Sequence, residues 1–244
     1  MLDRSSWRPH ELCSTVIPAG RGVRVVGDVH GDARAFAMAC ETDLFVVQLG
    51  DLTDYGRDSA EVLRLALRLV EQRRGIFLLG NHDHKLARAL DGQDIRINPE
   101  LGSTLDQLDP ALREAALATI RVAPAWLHWD ATRMFVHGGF HTDMLEGPAP
   151  EVPLSHPKGA LARALYGEPT GRTQANGYPE RSLRWVDRIP AGLTVYCGHD
   201  RRSSDGRPYI RHGQAGGTEV FVDTGAGKGG HLSWIDLPPG IETP

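Results

Sequence analysis

Five short apolar runs, each closed by a glycine-bearing turn rich in cation-binding residues, constrain this chain more than any other feature. Val23 to Val26 leads into GDVHG, Leu44 to Leu49 into GDLTDYG, and Ile76 to Leu79 into GNHD. Further on, MFVHGG and LTVYCGH repeat the pattern with a histidine at each strand end. Apolar runs of this length, bounded by glycine and polar residues, read as strands. Between the second and third lies SAEVLRLALRLVEQRR, in which Val62, Leu65, Leu69 and Val70 form a stripe of helical period, with arginines on the other face. Alternation of strand, loop and helix predicts an α/β layer rather than a helical bundle.

The remaining segments fit around that frame. Residues Pro99 to Ala123 read as a helical insert that walls the cleft and carries little chemistry, with Ser103 capping one short helix and Pro110 opening the next. GEPTGRTQANGYPE reads as an exposed loop. From Glu219 onward, EVFVDTG and HLSWIDL read as two strands joined by a glycine-rich turn. At 244 residues the chain can bury one sizeable core, so residues 1–244 are expected to form a single domain.

Composition narrows the function. The 27 basic and 31 acidic residues leave a net charge of -4, so no chain-wide basic field exists to coat nucleic acid, although a local basic groove stays open. MLDRSSWRPH lacks the apolar region of a secretory signal, and no apolar run approaches the roughly 20 residues of a membrane span. Cys13, Cys40 and Cys197 are too few and too scattered for a disulfide framework or a zinc cluster. They read as small buried hydrophobes in a cytoplasmic protein with no membrane and no obligate protein partner.

The chemistry sits at the strand ends. Residues two apart in an extended segment point the same way, so Asp28 and His30 can aim a carboxylate and an imidazole at one ion. The second strand delivers Asp51, the third Asn81, His82 and Asp83, and the two later ones His137 and His199. Parallel strands bring their C-terminal ends to one edge, where α/β sheets keep their binding sites, so ligands distant in sequence converge. The other histidines (His10, His84, His128, His141, His156, His212, His231) take a structural or solvent-exposed reading.

Taken in order, GDVHG, GDLTDYG, GNHD, HGG and GHD resemble the calcineurin-like metallophosphoesterases, and more narrowly their phosphoprotein-phosphatase branch. GNHDHKLARAL, ALYGEPTGRTQANGYPE, RWVDRIPAGLTVYCGHD and VDTGAGKGGHLSWIDLP look most like the phosphatase module of bacterial polynucleotide kinase-phosphatase. The resemblance spans Val23 to Pro238 and implies a four-layer αββα sandwich of two mixed β-sheets flanked by helices. It implies one divalent ion on Asp28, His30 and Asp51 and a second on Asp51, Asn81, His137 and His199, with Asp51 bridging. Manganese is the expected metal by resemblance, and the oxygen and nitrogen donors also suit iron, zinc or nickel. Water shared between two such ions loses a proton near neutral pH and can attack phosphorus in line. His82 is then the general-acid candidate, and Asp54 the carboxylate that holds its far nitrogen. Asp223 is a further candidate in the site, or the cap of a turn.

One departure matters. The family's second motif ends Asp-Arg-Gly, with the arginine on the substrate phosphate, whereas here Asp54-Tyr55-Gly56 stands. Tyrosine offers one neutral hydrogen bond in place of a cationic fork. A nearby arginine (Arg57, Arg88, Arg172 or Arg201) is expected to restore the charge, with Tyr55, Arg57 and Arg172 contacting substrate. GAGKGG lacks the Ser or Thr and the helix that a nucleotide-binding loop requires, and reads as a tight turn. The expected activity is hydrolysis of phosphomonoesters on phosphoprotein, on nucleic-acid ends or on a small phosphoester. A phosphodiesterase or dinucleoside-tetraphosphate hydrolase is the alternative enzyme, and an inert scaffold the alternative of another class.

Overall fold

The structure is a computed structural model that describes residues 16–174, 177 and 179–239. Cys13 and His10 lie outside the described residues. The first half runs β1 (Val23–Val26), α1 (Ala33–Cys40), β2 (Phe45–Gln48), α2 (Ser59–Glu71), β3 (Gly75–Phe77), α3 (Asn81–Leu90), α4 (Pro99–Gln107) and α5 (Pro110–Arg121). The second continues with β4 (Trp126–Asp130), β5 (Arg133–Val136), α6 (Gly159–Tyr166), β6 (Pro169–Thr173), β7 (Pro179–Arg181), β8 (Thr194–Cys197), β9 (Tyr209–His212), β10 (Thr218–Phe221) and β11 (Trp234–Leu237).

Two mixed sheets result. In one, of order β11-β1-β2-β3, the first three strands of the chain are parallel and β11 is antiparallel. In the other, of order β4-β5-β8-β10-β9, the three inner strands are parallel and the two edges antiparallel. Side chains alternate across a strand, and that alternation divides the core. Val25 and Val47 of the first sheet share one cluster with Trp129, Phe135, Tyr196 and Val220 of the second, which is the layer between the sheets. Val26 and Val46 face the other way and join Phe36 of α1 and Leu63 and Ala66 of α2. The expected αββα sandwich of two mixed sheets is therefore the observed fold. Among the described residues, no helix is long and apolar enough to cross a membrane.

Several local expectations change. The buried stripe of α2 is Ala60, Val62, Leu63, Ala66 and Leu69, so Leu65 and Val70 sit at its flank. Ser103 lies inside α4, which starts at Pro99 behind Asn98. Pro110 does open α5, and Asp109 caps it by accepting a hydrogen bond from the Leu112 amide at 2.8 Å. The stretch read as a long loop instead folds back as the β6–β7 ribbon. All five β6 residues are exposed, so no apolar alternation betrays the ribbon in the sequence. The edge strand β9 is hidden for the same reason. The closing strands β10 and β11 belong to different sheets, and the glycine turn between them crosses from one to the other.

Phe135 is fully buried between the sheets. Phe135→Ala should lower the unfolding free energy by about 3–5 kcal/mol, read as a lower urea midpoint at unchanged slope.

Candidate metal centre

Each sheet sends its parallel strand ends to the same place. Asp28 and His30 follow β1, Asp51 follows β2, and Asn81 opens α3 just after β3. From the second sheet, His137 follows β5 and His199 follows β8. The loops are stapled to one another through backbone groups. The Val29 and His30 amides both donate to the Asp51 carbonyl, at 3.1 and 3.0 Å. The Asp83 carboxylate accepts from the amides of Asp51, Leu52 and Gly80 at 2.7, 3.0 and 3.1 Å. Buried Gln48 closes the same junction, donating to the carbonyls of Gly27 and Gly50 and accepting from the Gly50 amide. Two glycines allow close approaches to the cage carboxylates. A Cβ at Gly80 would collide with the amide and carboxylate of Asp51, and one at Gly198 with the carboxylate of Asp28.

The backbone is strained where the chemistry sits. Among the described residues, six non-glycine residues have positive φ, and five of them are His30, Asp51, Asp54, Tyr55 and His199. Such conformations cost free energy and persist only where surrounding contacts hold them.

The side chains expected to bind metal do converge. The Asp51 carboxylate turns its two oxygens to different partners: Oδ2 lies 3.7 Å from His30 Nε2, and Oδ1 lies 3.4 Å from His137 Nε2. Asp28 Oδ2 is 3.6 Å from His30 Nε2 on the first side. On the second, His137 Nε2 is 3.2 Å from Asn81 Oδ1 and 3.1 Å from His199 Nδ1. Protons cannot satisfy this arrangement. His30 Nδ1 donates to the Thr53 carbonyl at 2.9 Å and His137 Nδ1 to that of Leu49 at 2.8 Å, which leaves both Nε2 atoms as bare lone pairs facing oxygens. Burial holds His30 neutral, with a pKa pushed down to about 3, and pushes His137 and His199 down as well. Burial opposes ionisation of Asp51, yet its pKa lies below the usual range, because the histidines around it (His137, His82, His30 and His199) favour the carboxylate whenever they carry a proton. Asp28 Oδ2 and His30 Nε2 are buried without a hydrogen-bond partner. Neutral imidazoles, an ionised carboxylate and orphaned buried atoms fit a pair of divalent cations sharing Asp51.

His82 stands beside the first cluster, its ring 5.0 Å from that of His30. Its Nδ1 donates to Asp54 Oδ2 at 2.6 Å. Burial opposes its protonation, but Asp51 and the hydrogen bond and charge of Asp54 together raise its pKa. Asp54 is anchored in turn, its Oδ1 accepting from the Thr104 hydroxyl at 2.8 Å. Thr104 belongs to α4, so the helical insert read in the sequence as carrying little chemistry positions the His82 pair.

A cleft of about 460 Å3 opens over the centre, lined by Tyr55, Arg181, His199, Arg201, Asp223 and Lys228 among others. Asp223 both faces this cleft and caps a turn, accepting from the Gly225 amide at 2.8 Å. Arg57 and Arg172 are exposed and do not line it, and Arg88 lines a different cleft. Of the four arginines, Arg201 does line it, and the remaining positive charge near Tyr55 comes from Arg181 and from Lys228, whose Nζ lies 4.5 Å from the Tyr55 ring centroid. GAGKGG is the turn expected, and its Gly227 packs so closely on the His30 carbonyl that a Cβ there would collide. A lysine flanked by glycines just after Asp223 was the signal for this contact. Asp83 stood in the GNHD motif without an assigned role, and Gln48 and Thr104 gave no comparable signal.

This centre and fold place the chain among known proteins. A model of the calcineurin-like phosphoesterases matches residues 23–205, and the chain belongs to that family of binuclear metal-dependent hydrolases of phosphoesters. The asymmetrical bis(5'-nucleosyl)-tetraphosphatase PrpE of Halalkalibacterium halodurans is 28% identical over 198 residues, covering 78% of this chain and 74% of the relative. Its namesake from Geobacillus sp. is 25% identical, covering 91% and 92%. A protein serine/threonine phosphatase from Saccharomyces cerevisiae shares the fold with a TM-score of 0.57 at 14% identity, over 93% of this chain and 82% of that one.

Metal titration of the apoprotein should reach two ions per chain. Asp51→Asn should weaken both by at least about tenfold, and Asn81→Ala one of them. Unchanged binding in Asp51→Asn, followed by calorimetry, would rule out the shared carboxylate.

Proposed function

We propose that this chain is a dinucleoside-tetraphosphate hydrolase, with the alternative left open by the sequence taking precedence over the expected phosphomonoesterase. What carries the reading is that relatives named for tetraphosphate hydrolysis align over most of the chain on both sides. The cleft supports it: Arg181, Arg201 and Lys228 offer more positive charge than one terminal phosphate needs. We further propose that residues 1–244 work as one domain and that manganese fills both positions, on the strength of a donor set without thiolate. A reducing cytoplasm suits the two buried thiols, Cys40 and Cys197.

When bound, the two divalent ions would polarise phosphate oxygens and make water a competent nucleophile near neutral pH. The chain's own residues do the rest. Asp28 and His30 form one side of the cage, Asn81, His137 and His199 the other, and Asp51 ties them together. Tyr55, Arg181 and Lys228 grip the anionic substrate above it. His82 holds a proton on Nε2 for the departing oxygen, while Asp54, fixed by Thr104, keeps Nδ1 protonated and the ring oriented.

Two measurements test the proposal. With manganese, kcat/KM for diadenosine tetraphosphate should exceed that for p-nitrophenyl phosphate and for a phosphopeptide by at least about tenfold; the reverse ranking would reject the tetraphosphate reading. His82→Ala should slow phenyl phosphate by about 100-fold or more but p-nitrophenyl phosphate far less, because p-nitrophenolate leaves without a proton. Equal losses on both esters would remove His82 from the role of acid.

A further inference from the structure

Asn81 borders a second cleft, of about 410 Å3, lined also by Lys85, Arg88, Asp94, Arg96 and Tyr166 among others. It adjoins the first across one side chain: Asn81 lines the second, His199 the first, and His137 Nε2 lies 3.2 and 3.1 Å from the two. Asn81, Lys85 and Arg88 are spaced by four and three residues on α3, so one helix face carries a metal-cage residue and then two cations. At 1.5 Å of rise per residue they stand about 6 and about 10 Å along the axis from Asn81. A single phosphate held at the cage is smaller than that span.

The charge of this cleft is not neutralised. Lys85 Nζ donates to the Asn98 amide oxygen at 2.6 Å and Arg88 Nε to that of Gln93 at 3.0 Å, both uncharged partners. Arg96 is exposed. Among the described residues no carboxylate forms an ion pair with any of the three, Asp94 included. Elsewhere arginines such as Arg64, Arg68 and Arg121 sit against Asp109, Glu61 and Asp91. Three uncompensated cations leading away from a phosphoester-hydrolysing centre favour an extended anion.

We infer that the cleft formed by Lys85, Arg88 and Arg96 binds the phosphates of a polyphosphate chain beyond the one held at the metal cage. The inference rests on the tetraphosphate reading and deepens it: substrate lies across both clefts, and the length of its phosphate chain is read along α3. A monoester engages the cage and the first cleft alone.

The test compares the metal-loaded wild type with Arg88→Ala/Arg96→Ala, and with Arg96→Glu, whose exposed position spares the fold. The ratio of KM for diadenosine tetraphosphate to KM for p-nitrophenyl phosphate should rise about tenfold in the double variant. Inorganic triphosphate, at fixed free manganese, should inhibit p-nitrophenyl phosphate hydrolysis about tenfold less well in both variants, relative to its inhibition by orthophosphate. If wild type ignores the tetraphosphate but triphosphate inhibition still weakens in the variants, the proposed activity falls and the cleft stands. If the relative inhibition by triphosphate is the same in wild type and variants, the cleft assignment is wrong whatever the enzyme cleaves.

Discussion

The carboxylate of Asp51 is the hinge of this protein's chemistry. It sits in a left-handed backbone conformation after β2 and is fully buried, and its two oxygens face histidines from different sheets. Nothing about a lone aspartate favours such a position, because desolvation alone would protonate it. The Asp83 staple on its amide and the His82 amide on its Oδ1 aim it, and the His82 imidazole, whose own pKa is raised, favours its ionised form. The strain at His30, Asp54, Tyr55 and His199 follows from the same demand, since each loop must turn sharply to present a side chain at one point.

Much of this was legible in the sequence because parallel strands carry their own address. A short apolar run followed by glycine and a ligand-type residue says which end of the strand the ligand occupies, and that end is shared. Hence Asp28, His30, Asp51, Asn81, His137 and His199 could be grouped before any coordinates, along with the His82–Asp54 pair. The segments that escaped have no such signature. β6 is exposed throughout and β9 at three of its four residues, so they leave no period-two imprint. Thr104 reaches Asp54 from a helix whose pattern reports its packing, and a hydroxyl on a helix is not by itself informative. Of the arginines named to replace the missing guanidinium, Arg201 lines the cleft with Tyr55, whereas Arg57, although two residues from Tyr55, does not, because proximity along the chain does not fix direction in space. Lys228 was passed over because its glycines were read as a turn, which is correct, without asking what the turn points at.

The division of labour between the clefts clarifies how a tyrosine can stand at Tyr55. A fixed guanidinium there would commit the site to one tightly held terminal phosphate. Charge spread over Arg181, Arg201 and Lys228 on one flank, and over Lys85, Arg88 and Arg96 on the other, is matched to an anion with several phosphates. Under the proposed tetraphosphate reading, specificity would depend on the length of the anion rather than on the grip at a single point.

The cage draws its residues from both sheets, and this has a bearing on endurance as well as on chemistry. Cations seated there act as a clasp across the sandwich, since unfolding the cage means surrendering them. Each ion held a thousandfold above its dissociation constant adds about 4 kcal/mol to the resistance of the native state. A cell that ran short of metal would therefore lose the scaffold's robustness together with its activity, and the abundance of the protein would follow the supply of its ions.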